Sequence, residues 1–194
     1  MNLIERVRSI LTTPKTEWEV INSESATVGS LLTSYVIPLS LLAGIGTLLK
    51  YLFFNAVIGI GYAIAYAVFT IVTVTITFVV STYIIDALAP SFSSEKDLNK
   101  SAQLVAYAGT AGWVAALLSF IPFLGWFISI AGFVYGIYLF YLGLAPLKKT
   151  PEDKKVVYII IYFVIWMIIY FVFLSLIAGI VLSAIFATST AMGH

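Results

Sequence analysis

Four stretches of the chain contain no Asp, Glu, Lys or Arg, and their length constrains the fold more than any other feature. They are residues 25–49, 51–85, 101–147 and 156–193. A transmembrane helix needs about 20 apolar residues, so each stretch is long enough to cross a bilayer. The chain is also 61% hydrophobic and only 10% charged, whereas soluble domains are about one quarter charged. The sequence therefore predicts an integral membrane protein.

Turn signals inside these stretches predict five spans. Pro122 and Gly125 interrupt the 101–147 stretch and indicate a tight turn between two helices. The predicted spans are residues 28–54, 62–88, 102–121, 123–145 and 156–186. The predicted fold is thus an all-α transmembrane bundle of five helices over residues 28–190, preceded by an N-terminal segment of residues 1–27.

The basic residues test this count of spans. With five spans, nine of the ten Lys and Arg residues lie on one side of the membrane, and only Lys50 approaches the other. A single long helix over 101–147 would instead distribute the basic loops over both faces. Because positively charged loops stay in the cytoplasm, we expect a multi-pass protein of the cell (inner) membrane. Its N-terminus would be cytoplasmic and its C-terminus external.

The segment of residues 1–27 has the pattern of short helices at the cytoplasmic surface of the membrane. Apolar residues recur at helical spacing over 3–11, and Arg6 falls with the other charged residues on the opposite side. This pattern is typical of an amphipathic interfacial helix. Pro14 predicts the start of a second helix, on which Trp18 would act as an interface anchor. The alternative is a helix that packs under the bundle for stability alone.

Charged groups near the membrane boundary give further candidates. The lysines between the fourth and fifth spans are expected to be interface anchors that face anionic lipid: Lys148, Lys149, Lys154 and Lys155. Asp86 is the only carboxylate near a span, and an ionisable group there is a functional candidate. It could equally cap the next segment or pair with Lys96, Lys100 or a lysine of the 148–155 loop. We expect no second buried ionisable group, which argues against a proton relay.

Glycines on the fourth span form the sharpest packing pattern. At helical periodicity four of them fall on one narrow stripe: Gly125, Gly132, Gly136 and Gly143. A smooth stripe lets another helix approach closely, and van der Waals contact then drives association in lipid. The expected partner is the third span, through Gly109, Gly112 and Ala116. The alternative is homo-oligomerisation.

Polar and aromatic groups inside the second and fifth spans are candidates for a ligand path. Hydroxyl groups on one face of the second span either bond between helices or line a polar cavity: Tyr66, Thr70, Thr73, Thr77 and Ser81. In the fifth span, Trp166 and Tyr170 lie deep in the predicted membrane, where an N–H or O–H group needs a partner. They are expected to face the bundle or a cleft that holds lipid or another ligand.

The residues that most catalytic and metal sites need are scarce. The chain has no Cys, and its only His is His194, so neither a thiolate nor an internal imidazole site is expected. No phosphate-binding loop, nucleophile elbow or zinc-protease motif occurs. The net charge of +1 gives no basic footprint for nucleic acid. We therefore expect no enzyme activity, no cofactor and no metal.

Short sequence pieces in a fixed order resemble a known family. They lie at residues 6–21 (RVRSILTTPKTEWEVI), 88–92 (LAPSF), 106–113 (AYAGTAGW), 121–125 (IPFLG) and 136–144 (GIYLFYLGL). Together they resemble a prokaryotic member of the Yip family, the Ypt/Rab-interacting five-span membrane proteins. The resemblance implies a five-span topology with the N-terminus inside. Eukaryotic relatives act in vesicle trafficking, bind prenylated Rab GTPases and help to organise membranes.

Two functions are compatible with these patterns. The first is a non-enzymatic protein that organises membrane or binds lipid and protein partners, or a second copy of itself. The second is a small transporter, channel or lipid-translocating protein with a polar cavity between the second and fifth spans. The first rests on the surface helices, the glycine stripe and the expected lack of buried charge. The second rests on Asp86, the hydroxyl face, and Trp166 with Tyr170.

Overall fold

The computed structural model describes residues 2–54 and 59–192, apart from the side chains of 54, 170, 173, 174 and 176–192. Over these residues the regular structure is helical. The helices are α1 (Leu3–Thr12), α2 (Pro14–Ser23), α3 (Val28–Leu31), α4 (Ile37–Phe54), α5 (Ile60–Leu88), α6 (Leu98–Leu118), α7 (Leu124–Lys148) and α8 (Glu152–Met192).

The chain divides into two compact units, Met1–Val156 and Val157–His194. The first unit contains α1 to α7 and the first turn of α8. The second consists of the remainder of α8, which is one continuous helix through Met192.

Four helical segments of the first unit are long and apolar enough to cross a membrane: Val28–Phe53, Ile60–Phe92, Leu98–Leu118 and Leu124–Lys148. They correspond to the first four predicted spans. Since α6 and α7 are separate helices, a single long helix over 101–147 is excluded. The fifth predicted span, 156–186, falls on α8, where many side chains lie outside the described residues, so a fifth crossing stays a prediction.

The turn between α6 and α7 depends on close backbone contacts. Phe123 has a positive φ of 60°, and the Gly125 N–H donates to the Ile121 carbonyl at 2.7 Å. A Cβ on Gly125 would collide with the Ser119 carbonyl. The turn therefore requires a glycine at this position, as the Pro and Gly pattern indicated.

The α7 helix packs against α6 through its glycines. A Cβ on Gly132 would overlap the Ala115 side chain and lie 2.9 Å from the Ala111 carbonyl oxygen, and one on Gly136 would lie 3.3 Å from the Ala108 carbonyl oxygen. The predicted partner helix is therefore the one that α7 contacts.

The face that α6 presents to α7 differs from the expected one. We expected Gly109, Gly112 and Ala116, but a Cβ on Gly109 would meet the side chain of its own helix's Trp113, and one on Gly112 would meet nothing within 4 Å. Ala116 and Leu117 instead approach Gly46 of α4. Alanines supply the smooth face towards α7, because a methyl group still permits close approach of two helices in lipid.

The α6 helix is central in the first unit. Its apolar window is 56% buried, against 17–33% in the other three spans, and it contacts α4, α5 and α7. Helices α1 and α2 pack on the same unit, against α6 and α7 respectively. We call the end of the bundle at which α1, α2 and residues 89–98 and 148–152 lie the N-terminal end.

Replacement of Gly132 by Ala should destabilise the protein by about 1–3 kcal/mol, because the added methyl group overpacks the α6–α7 contact. Gly112→Ala is the matched control on α6, where a Cβ has free space and alanine favours the helix. Thermal unfolding of the purified protein in detergent measures both. A Gly132→Ala protein as stable as Gly112→Ala would contradict the close contact.

Candidate functional site

The N-terminal helices are fixed to the bundle by a buried arginine. Arg6 on α1 is 5% exposed. Its guanidinium forms an ion pair with Glu17 of α2, and its Nη2 donates to Glu24 Oε1 at 2.5 Å, just after α2. It also lies over the Tyr107 ring of α6, 5.3 Å from the centroid. One cation therefore joins α1, α2 and α6.

This position corrects the expectation for Arg6, which we placed on the water-facing side of an amphipathic helix. The carboxylates of Glu17 and Glu24 offset the cost of removing the guanidinium from water, since a buried charge needs ionic and hydrogen-bonded partners. Burial acts to lower the pKa of Arg6, but the hydrogen bond with Glu24 and both carboxylates outweigh it, and the pKa is raised. Arg6 stays charged.

Trp18 is likewise buried, which favours the alternative that α2 packs under the bundle over an anchor at the membrane surface. It is 1% exposed, and its ring meets Tyr107 edge-on with centroids 6.4 Å apart. A Cβ on Gly143 of α7 would come within 2.9 Å of the indole. The Gly143 position, predicted as part of a helix-packing stripe, thus accommodates Trp18 between α6 and α7.

Polar side chains of α6 hold the end of α2. Lys100 Nζ donates to the Asn22 carbonyl at 2.6 Å, and Gln103 Nε2 donates to the Ile21 and Glu24 carbonyls at 3.2 and 3.1 Å. The last carbonyls of a helix have no partners within it, so these donors replace water there. The only sequence signal for this contact is a polar residue in an apolar helix.

A π-helical segment interrupts the first span next to this cluster. It comprises Leu32–Val36, and such segments occur frequently at functional sites. Within it the Tyr35 hydroxyl lies 2.7 Å from Thr110 Oγ1, and the Tyr35 ring meets Tyr107 edge-on at 4.8 Å. The segment thus fixes a tyrosine pair at the N-terminal end.

A cavity of about 520 Å³ lies between these elements. Its walls include Arg6, the turn of residues 23–25, Ser34, Tyr35 and Tyr107, and we call it the N-terminal cavity. Its volume falls in the range of small-molecule sites. None of its lining residues was among the sequence-predicted candidates.

A second buried ion pair lies at the same end of the bundle. Lys148 is fully buried, and its Nζ lies 3.4 Å from Asp86 Oδ1, 2.7 Å from Ser101 Oγ and 3.1 Å from the Asp97 carbonyl oxygen. Lys148 is thus enclosed, not lipid-facing as expected, and Asp86 has a second buried ionisable group beside it. Of the alternatives for Asp86, the structure favours pairing with a lysine of the 148–155 loop.

The other three lysines of this loop differ in exposure. Lys155 is 4% exposed, pairs with Glu152 at 2.6 Å and lies over the Tyr141 ring, so it too is enclosed. Lys154 Nζ donates to Ser93 Oγ at 2.6 Å. Lys149 is exposed and pairs with the exposed Glu95. Lys149 is therefore the most accessible to lipid of the four predicted anchors.

The hydroxyl face of α5 changes from exposed to buried along the helix. Thr73 is exposed, Thr77 is half-buried and Ser81 is 1% exposed. Thr70 Oγ1 donates to Thr47 Oγ1 at 3.2 Å or to the Tyr66 carbonyl at 2.9 Å, which favours the helix-packing interpretation. A polar path along this face stays a prediction.

The aromatic candidates of the fifth span lie in the second unit. Trp166 is on α8 and partly buried, and the side chain of Tyr170 lies outside the described residues. A cavity between the second and fifth spans is therefore still a prediction. Over the residues that the structure describes, no group of three or more His, Asp or Glu side chains could hold a metal ion.

Asp86→Ala should destabilise the protein by about 3–5 kcal/mol, because it leaves the enclosed Lys148 ammonium without its counter-charge. Lys148→Met should be comparably costly, and the double variant should lose much less than the sum of the two. Unfolding in detergent measures this double-mutant cycle.

Lys149→Ala is the control for that cycle, since an exposed pair contributes only about 0–1 kcal/mol. Additive effects of Asp86→Ala and Lys148→Met would mean that the two side chains do not interact, contrary to the structure.

Comparison with known proteins places these features in a family. The model of the Yip1 domain matches residues 8–176, a range that includes α2, the four spans, Asp86 and Lys148. No match was found among curated proteins or among solved structures. Because the family model covers most of the chain, this multi-pass membrane protein belongs to the Yip1 domain family.

Proposed function

We propose that this protein is a non-enzymatic member of its family that organises membrane by binding lipid or protein partners at its N-terminal end. The buried Arg6 ion pairs carry the proposal, because they make α1 and α2 a fixed part of the bundle. A fixed surface presents its groups to a partner without first paying the entropy of ordering them. Partners include a second copy of this chain, and nucleic acid is not among them.

The proposed orientation has this end in the cytoplasm, with five spans and the C-terminus outside a prokaryotic cell membrane. Charge distribution supports it: α1, α2 and the loops at 89–98 and 148–152 gather the basic residues at one end. Lys50 lines a crevice with Ser119 and Trp126 at the other end. Basic segments are retained on the cytoplasmic side.

Exposed cations at this end support lipid as one partner. Arg8, Lys15, Lys96 and Lys149 are exposed, while Arg6 and Lys148 are enclosed. Each basic residue near an anionic membrane surface contributes about 1 kcal/mol of attraction. Buried charge, which we did not expect, thus serves to hold the surface together. The exposed cations remain accessible to lipid, although Lys149 also pairs with the exposed Glu95.

Transport is the alternative function, and Asp86 argues against it. A carboxylate that carries protons or cations must exchange its partner, whereas Asp86 lies against the enclosed Lys148 and Ser101. The alternative requires a polar cavity between α5 and α8, and it is tested below by solute flux.

Single cysteines test the orientation, since the chain has none of its own. A membrane-impermeant maleimide added to intact cells should label Phe123→Cys and spare Ser25→Cys. Phe123 lies in the turn between α6 and α7 and is 93% exposed. After lysis both should be labelled. Labelling of Ser25→Cys in intact cells would reverse the orientation.

A photo-crosslinking residue tests partner binding in cells. Placed at the exposed Glu19 of α2, it should give discrete adducts that mass spectrometry identifies as a partner or as a second copy. The matched control is Val72 of α5, 48% exposed on a span, which should give none of these adducts. Arg6→Ala should weaken the Glu19 adducts by freeing α1 from α2.

The purified protein in liposomes should pass no solute. Identical adducts at Glu19 and Val72 would contradict partner binding at this end. Solute flux that Asp86→Asn abolishes would replace the proposed function by transport.

A further inference from the structure

Two of the three serines that line the N-terminal cavity, Ser23 and Ser34, have already used their hydroxyl protons. The Ser23 hydroxyl donates to the Val20 carbonyl at 2.7 Å, and the Ser34 hydroxyl donates to the Ser30 carbonyl. A hydroxyl has one proton and two lone pairs. Both serines therefore offer only acceptor capacity to a molecule in the cavity.

Tyr35 also offers an acceptor. Its hydroxyl lies 2.7 Å from Thr110 Oγ1, and either oxygen can donate in this bond. In either case the Tyr35 oxygen keeps a lone pair. Its ring adds a π face, which attracts a cation, as the Tyr107 ring already does with Arg6.

The ion pairs around the cavity leave an excess of negative charge. One guanidinium, that of Arg6, serves two carboxylates, those of Glu17 and Glu24. The neighbouring Lys100 interacts with both Asp97 and Glu24, so two cations serve three carboxylates. Uncompensated charge in a partly buried site is costly, and a cationic donor offsets it.

The position of the cavity suits a lipid headgroup. Tyr35 lies about 10 Å along the first span from Val28, at 1.5 Å per residue, whereas Arg6 and residues 23–25 precede the span. The cavity is thus at the depth where headgroups meet the hydrocarbon. Beside its wall residue Leu3, Ile4 is 78% exposed and available to acyl chains.

We propose that the N-terminal cavity binds a primary ammonium group, and that its source is the headgroup of an ethanolamine phospholipid. An ammonium has three donors and a single positive charge, which complements serine and tyrosine lone pairs and the Glu24 carboxylate. The inference rests on the proposed function, since it names a lipid that the N-terminal end would bind.

The test uses the full chain in nanodiscs of phosphatidylcholine that contain phosphatidylethanolamine or its mono- and dimethylated analogues. Native mass spectrometry measures the lipid retained after partial delipidation. Because methylation removes donors that form charge-assisted hydrogen bonds, retention should fall stepwise and be about tenfold lower for phosphatidylcholine than for phosphatidylethanolamine. Free ethanolamine at excess should displace the lipid.

Two variants locate the binding. Ser34→Leu fills the cavity and should abolish the preference, whereas Thr33→Leu, its exposed neighbour outside the lining, should keep it. Glu24→Gln removes the charge and should lower retention of phosphatidylethanolamine about tenfold. If Glu24→Gln does not fold, the comparison of Ser34→Leu with Thr33→Leu tests the location of the binding site.

Equal retention of all headgroups, or an unchanged preference in Ser34→Leu, overturns the proposal. Binding of free ethanolamine without retention of the lipid overturns the lipid source. Either result would leave the Glu19 crosslinks and the absence of solute flux unaffected. Those two measurements test the proposed function, so its failure is distinguishable from failure of the lipid proposal.

Discussion

Close approach of α7 to α6 is the constraint on which the rest of the first unit depends. Lipid provides no hydrophobic driving force between helices, so association relies on van der Waals contact over small residues. Gly132 and Gly136 lie against Ala115 and the α6 backbone. This contact determines where Gly143 and Lys148, further along α7, meet α6. Trp18 can then pack against Gly143, and Lys148 can contact Asp86 and Ser101.

The charges at the N-terminal end act as connectors between segments that are far apart in sequence. Arg6 reaches Glu17 and Glu24 across the α1–α2 turn, and Lys148 reaches Asp86 from another span. A buried ion pair is weak evidence for net stability, because desolvation offsets most of its attraction. Its geometric demands are strict, so these pairs act mainly to select one arrangement of the helices.

The sequence was most informative where a signal is local. Charge-free length predicted the first four spans, and the Pro122 and Gly125 pattern predicted the turn that divides 101–147. Predictions failed for Arg6, which helical spacing placed on the water-facing side, and for Lys148, which was expected to face lipid. For Trp18 the structure favours the alternative that the N-terminal helices pack under the bundle over an anchor at the membrane surface. Each is buried by a partner that no local pattern reveals: Glu17 across a turn, Gly143 and Asp86 on other helices. The cavity escaped prediction for the same reason, since its walls come from four separate segments.

The π-helical segment Leu32–Val36 has a consequence for how the first span is read. A π turn holds about one residue more than an α turn, so it advances the phase of the helix. A row of side chains along α3 therefore does not continue along the same face of α4, although both helices belong to one span. A deletion of one residue within 32–36 would restore a regular α-helix and carry Tyr35 around the axis, away from Thr110. In this family, an alignment gap at this place would mark a change in the wall of the cavity and not a neutral shortening of a membrane span.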